Sequence, residues 1–180
     1  MITALKRGRP QETVPAGTTW TITQSGQWEV PATGQYQVEL HGGGGGACIN
    51  YYYVNTCASG GGSGQIYTLP LVKGEKISVD IGAGGSGSNN GVGLAGGTTT
   101  FGNISIAGGG GGVCNDAIRA GGAASGDLAT AGVCEYLTTV SGGLGNKNKP
   151  SQPYGNGGGG DWTKANSGNP GAAIITFLGA

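Results

Sequence analysis

The chain has 180 residues, a length suited to one domain, and only 10% of them are charged, with nine Lys and Arg against nine Asp and Glu. A neutral chain has no electrostatic pull on phosphate, which argues against nucleic-acid binding. Glycine reaches 43 residues; its runs of four and five exclude a Gly-X-Y collagen period, and otherwise such an excess marks low complexity.

The N-terminal MITALKRGRPQ lacks the apolar core of a secretory signal. No apolar run nears the ~20 residues of a membrane span. The expectation is a protein made in a cytoplasm that reaches the outside through assembly into a particle and lysis. Lys6, Arg7 and Arg9 form a basic cluster, a candidate for attachment to a partner and equally a solvated tail.

Only Gly8, Gly17, Gly26 and Gly34 precede residue 41, and this first part reads as strands. TTWTIT (18–23) alternates Trp20 and Ile22 with threonines. QYQVEL (35–40) alternates Tyr36, Val38 and Leu40 with Gln35, Gln37 and Glu39. A period of two with β-branched and aromatic residues marks a strand with one buried face. Pro31-Ala-Thr-Gly34, between QWEV and QYQVEL, is turn chemistry. Further on, LVKG is a turn approach to EKISVDI (75–81), which sets Ile77, Val79 and Ile81 on one face. FGNISIA (101–107) brings Phe101 near Ile104 and Ile106, and AAIITFL (172–178) is a closing strand. With no amphipathic helix in view, the fold class is all-β, a β-sandwich of jelly-roll type.

The apolar side chains of these strands are too few to order the glycine-rich remainder, because glycine loses the most freedom on folding. The glycine segments are therefore either disordered or bonded to one another. Extended helices of three residues per turn have no internal hydrogen bonds, and without Cβ atoms they can pack side by side and satisfy each other. That solution needs several similar runs. The chain supplies them at 42–46, 60–64, 82–87, 108–112, 120–126, 142–145 and 155–160, separated by loops that a linker would not need. Packed polyglycine-II-type helices are the expectation.

WEVPATGQYQVELHGGGGG, KGEKISVDIGAGG, GGTTTFGNISIAGGGGG and GNPGAAIITFLG, in this order, resemble the glycine-rich domain of bacteriophage tail fibres and tail-tip adhesins. The resemblance spans Gly26 to Gly179. It implies a β-sandwich carrying glycine helices, with loops between the glycine motifs that touch a host receptor. Residues 1–25 are then an N-terminal attachment segment with the first strand, and 26–180 the glycine-rich domain. The first segment is too short for a fibre shaft, so attachment to another protein or a separate subunit is expected. The four cysteines depart from the family pattern.

Cys48, Cys57, Cys114 and Cys134 form no CxxC pair, the usual sign of zinc, so neither metal nor cofactor is expected. Three pairings exist. Local bridges, 48–57 and 114–134, lead the reading; cross bridges, 48–114 and 57–134, and free buried thiols are the alternatives. Bridges would form after release from a reducing cytoplasm. Tyr51, Tyr52 and Tyr53 are candidate receptor-binding residues, because consecutive aromatics in an extended chain place at least one outward, and Tyr offers a broad face and a hydroxyl. The competing role is packing within a small hairpin. Tyr136, Tyr154 and Trp162 are weighed in the same way. Asn146-Lys147-Asn148-Lys149 reads as an exposed loop.

Enzyme chemistry is not expected. His41 is the single histidine, and no G-x-S-x-G, H-E-x-x-H or G-x-x-x-x-G-K-[ST] occurs. GGAASGDLA (121–129) has a faint likeness to a calcium-binding repeat, at the wrong spacing and without recurrence. The functional expectation is a phage virion protein, a tail fibre tip or receptor-binding adhesin. Its partners would be other virion proteins and a bacterial surface glycan or protein, with no nucleic acid and no membrane insertion. Oligomerisation, as a homotrimer for example, would add avidity. The alternative is a structural virion component such as a head fibre, decoration or tail protein.

Overall fold

The computed structural model describes residues 13–50, 55–62, 64–89, 91–114, 119–124, 126–136, 139–149, 151–161 and 163–180. Among them every regular element is a strand. In chain order these are β1 (Thr19–Ile22), β2 (Gly26–Glu29), β3 (Gly34–His41), β4 (Cys48–Asn50), β5 (Asn55–Cys57), β6 (Gly64–Leu71), β7 (Lys76–Asp80) and β8 (Thr99–Phe101). There follow β9 (Ile104–Ile106), β10 (Val113–Cys114), β11 (Arg119–Ala120), β12 (Cys134–Tyr136), β13 (Gly160–Asp161), β14 (Lys164–Ala165) and β15 (Ala172–Gly179).

Two four-stranded antiparallel sheets, ordered β1-β15-β3-β6 and β2-β7-β8-β9, carry the hydrophobic core. The alternation read from the sequence decides which face each strand buries. Tyr36, Val38 and Leu40 of β3 are fully buried, while Gln35 and Gln37 are not. On β7, Ile77 and Val79 turn inward and Lys76, Ser78 and Asp80 outward. These residues join Phe101, Ile106, Ala173, Ile175 and Phe177 in one cluster drawn from both sheets. Trp28 of β2 bridges them, with its ring 5.9 Å from Tyr36 and 5.8 Å from Phe101. Such edge and tilted contacts add about 0.5–1.5 kcal/mol per pair beyond burial.

The turn at Pro31–Gly34 carries the chain from one sheet to the other, since β2 pairs with β7 and β3 with β15 and β6. The Tyr36 hydroxyl fixes that turn by donating to the Ala32 carbonyl at 2.7 Å. FGNISIA differs from its reading as a single strand. Gly102, at φ +58°, turns the chain so that Phe101 and Ile104 become cross-strand partners of β8 and β9. β6 was not legible, because Pro70 interrupts its run. It lies at a sheet edge, where the missing N–H of a proline is tolerated.

In the chain, glycine runs link these sheets to the small ones, leading from β3 to β4, from β5 to β6 and from β9 to β10. Residues 42–46 are all buried, and their N–H groups bond outward in turn. Gly43 and Gly46 donate to Gly97 and Leu94, Gly44 and Ala47 to Asn169 and Asn166, and Gly45 to Gly60. The second run repeats the pattern. Ala58 and Gly61 donate to Val133 and Thr130, Ser59 and Gly62 to Gly158 and Gly155, and Gly60 to Gly110. The approach is too close for a side chain: a Cβ on Gly43 would fall on the carbonyl oxygen of Ala83, and one on Gly45 on that of Gly110.

Candidate functional site

The four cysteines collect at one place. Cys57 ends β5 and has Cys48 of β4 as its register partner on one side and Cys134 of β12 on the other. Cys114 ends β10, in the ribbon β10-β11. The disulfides are Cys48–Cys114 and Cys57–Cys134. This corrects the local pairing. Closeness along the chain gives Cys48 and Cys57 adjacent strands, but Cys57 is equally adjacent to Cys134, and the ribbon delivers Cys114 to Cys48.

The bridged sheet is also the root of several connections. Residues 51–54 join β4 to β5, 115–118 join β10 to β11, and 137–138 follow β12. Asn50, at the end of β4, donates through Nδ2 to the Cys114 carbonyl at 2.9 Å, which ties two of these roots together. Tyr136 is the register partner of Asn55, at the same end of the sheet. Trp162 falls between β13 and β14, a ribbon lying beside β4. That turn is closed by Asp161, whose Oδ1 accepts from the Thr163 N–H at 2.8 Å and the Lys164 N–H at 3.0 Å. A hydrogen bond from the Thr163 hydroxyl, above all, and these backbone donors hold the Asp161 carboxyl below its ordinary pKa. Tyr51, Tyr52, Tyr53 and Trp162 themselves lie outside the described residues, as do Lys6, Arg7, Arg9 and the side chain of Tyr136.

Tyr154 belongs elsewhere. It is half-buried and lines a groove of about 430 Å³ over the outer face of the first sheet, together with Thr19, Thr176, Gln37 and Lys149. The groove has a polar floor because alternate residues of three strands stand in register. Thr19, Thr176 and Gln37 form one row, with the Thr19 and Thr176 hydroxyls 3.0 Å apart. Gln152 lines the same groove, and its Oε1 is buried with no hydrogen-bond partner among the described residues.

At one end of the groove Glu39 is 3% exposed. Its Oε1 accepts from His41 Nε2 at 2.8 Å and from Asn146 Nδ2 at 2.7 Å, and its Oε2 from Lys149 Nζ at 3.2 Å. The hydrogen bond from His41, above all, holds the Glu39 carboxyl down to a pKa of about 2, with further help from the charges of His41 and Lys149. The expected exposed loop 146–149 is corrected in part. Lys147, Asn148 and Lys149 are exposed, but Asn146 is 2% exposed. Its Oδ1 accepts from the N–H groups of Asn148 and Lys149 while its Nδ2 reaches Glu39. Sequence reasoning missed this cluster, since nothing local links position 39 to position 146. The one available signal was that Glu39 is the charged member of the strand's polar row, beside the glycine boundary.

His41 is fully buried and Glu39 nearly so; the Thr99 hydroxyl donates to the His41 carbonyl, and no described hydroxyl or thiol is hydrogen-bonded to the His41 ring. The arrangement orients a loop over a sheet. It presents no nucleophile–base pair to solvent.

A family model described as a glycine-rich domain matches residues 18–173. No curated protein matches the chain.

Proposed function

The chain belongs to the glycine-rich domain family; from the order of its motifs, which resembles that of phage tail fibres, we propose that it is a phage virion protein, a tail fibre tip or receptor-binding adhesin. In this reading it is non-catalytic and presents loops from a rigid scaffold to a bacterial surface glycan or protein. The fold is a β-sandwich joined to packed polyglycine-II-type helices. What supports the helices is a period of three: donors Gly43 and Gly46 meet acceptors Gly97 and Leu94, while Gly44 and Ala47 meet Asn169 and Asn166. Three residues per turn is the repeat of an extended glycine helix.

The observation that carries the display reading is the common root of the connections. Residues 51–54, 115–118 and 137–138 all leave one sheet and ribbon that two disulfides staple. A loop whose ends are fixed before binding loses less entropy on contact. The Tyr51–Tyr53 segment, which falls between β4 and β5 in the chain, is the binding candidate, and the groove beside Tyr154 is a second. Made in the host cytoplasm, the protein would reach the virion by assembly with other tail or fibre proteins.

Gold labelling of intact particles with an antibody to the chain tests the reading. Label at the tail tip or fibres, with adsorption lost on replacing Tyr51, Tyr52 and Tyr53 by Ala, is the expected result. Label across the capsid, or Ala variants that block assembly while assembled particles adsorb normally, would replace it with a structural virion role.

A further inference from the structure

We propose that the four cysteines, in their reduced form, make a binding site for one thiophilic d10 cation of the zinc type. The inference does not depend on the adhesin reading. It rests on where the fold puts sulfur. The Sγ atoms of Cys48, Cys57 and Cys114 all lie within 4.8 Å of one another. Cys134 is bonded to Cys57 and packs on the same cluster. Four thiolates bound to zinc at about 2.3 Å stand about 3.8 Å apart at the corners of a tetrahedron. Reduction lets the two bonded pairs move apart to that spacing, and the non-bonded separations within the trio, at most 4.8 Å, have to close by no more than about 1 Å.

The supply of ligands also fits. β4, β5, β10 and β12 each give one cysteine. Cys134, Cys57 and Cys48 occupy one register row of a three-stranded sheet, so their side chains leave the same face. Cys114 is held against that row from a separate ribbon, so the donors do not lie along a line. Cys48 and Cys57 are 0% exposed and Cys114 1%. Burial disfavours a lone thiolate, and a cation that draws all four sulfurs removes that penalty. The motif is invisible in the sequence because no two of the ligands are close enough to form a CxxC pair.

The chemistry balances without a hidden reactant. Two equivalents of a trialkylphosphine and two of water convert the two disulfides to four thiols and two phosphine oxides. One zinc ion then displaces four protons from the thiols, giving a tetrathiolate. The same loop roots would thus be pinned by metal in a reducing compartment and by disulfides in an oxidising one.

The test uses the full chain, reduced anaerobically with a trialkylphosphine and titrated with Co²⁺, then Zn²⁺. The expected result is one Co²⁺ per chain, with the visible absorption of tetrahedral cobalt thiolate, displaced by one equivalent of Zn²⁺. The oxidised chain should bind neither ion, and Cys48→Ser with Cys57→Ser should weaken binding at least tenfold. A reduced chain that keeps the near-ultraviolet dichroism of its aromatic core and shows no thiolate band overturns the proposal. If reduction unfolds the chain, equimolar Zn²⁺ should restore the dichroism, and failure to do so overturns it too. Equal binding by the oxidised chain or the double variant would trace the ion to other groups and overturn it as well.

Discussion

His41 Nε2 lies 2.8 Å from Glu39 Oε1, the two residues standing on the same face of β3 with 0% and 3% of their surfaces exposed. A carboxylate only accepts, so the imidazole donates through Nε2, and Nδ1 is left without a partner among the described residues. The pair turns a buried acid into a fixed anchor for the loop that carries Asn146 and Lys149.

The anchor makes stability depend on acid. The folded Glu39 pKa, about 2, lies below its unfolded value. The unfolded chain therefore binds the proton first, and the contribution is present above pH ~4.3 and lost as pH falls towards ~2. At neutral pH it amounts to as much as about 3 kcal/mol. Denaturant titrations at pH 7 and pH 2.5 should show Glu39→Gln closing most of the stability gap between those conditions. A Glu39→Gln chain with the parent's acid profile would locate the effect elsewhere. Lys149→Ala should cost under about 1 kcal/mol, because the lysine side chain is 55% exposed.

Asn146 is the more sensitive partner. Asn146→Asp would set a second carboxylate against Glu39 Oε1 in place of a donor at 2.7 Å. A buried group left without its donor costs about 1–3 kcal/mol, with like-charge repulsion added. The loss should shrink as pH falls and one carboxyl takes a proton, which thermal melts between pH 7 and pH 4 would read. Equal losses at both pH values would mean that the repulsion is not felt.

Two glycines separate close packing from glycine content. A Cβ on Gly45 would meet the Gly110 carbonyl, whereas a Cβ on Gly26, at the start of β2, meets nothing within 4 Å. Gly45→Ala should destabilise by about 3 kcal/mol or more, since backbone on both sides must move. Gly26→Ala should be neutral or stabilising by about 0.4–1 kcal/mol through the unfolded chain. Equal effects in urea titrations would contradict the close approach of the runs.

The disulfides close long segments, with sequence separations of 66 and 77 residues. Removing either one, as Cys48→Ala with Cys114→Ala or Cys57→Ala with Cys134→Ala, should cost about 2–4 kcal/mol. Peptide mapping under non-reducing conditions should recover Cys48 linked to Cys114 and Cys57 linked to Cys134. Recovery of 48–57 and 114–134 would reverse the pairing.

Much of the fold was legible because solvation acts locally. Tyr36, Val38 and Leu40 alternate with polar residues and are buried as their period requires; Ile77 and Val79 do the same on β7. The site was far less legible. Tyr154 was singled out for its chemistry, but its position over Thr19, Thr176 and Gln37 depends on a loop folding across a sheet made from both chain termini. β6 was missed because a proline is a local signal, and its tolerance at a sheet edge is a property of the whole sheet.

By itself the sequence determined the strand faces, the absence of helical periodicity and that the glycine runs must either find backbone partners or stay disordered. The tertiary structure alone decided which runs meet, that Cys57 pairs with Cys134 rather than Cys48, and that Asn146 reaches Glu39. The physical reason is that one glycine run is chemically much like another. Their mutual register carries no side-chain code, and it is set only when the strands, loops and bridges around them are assembled together.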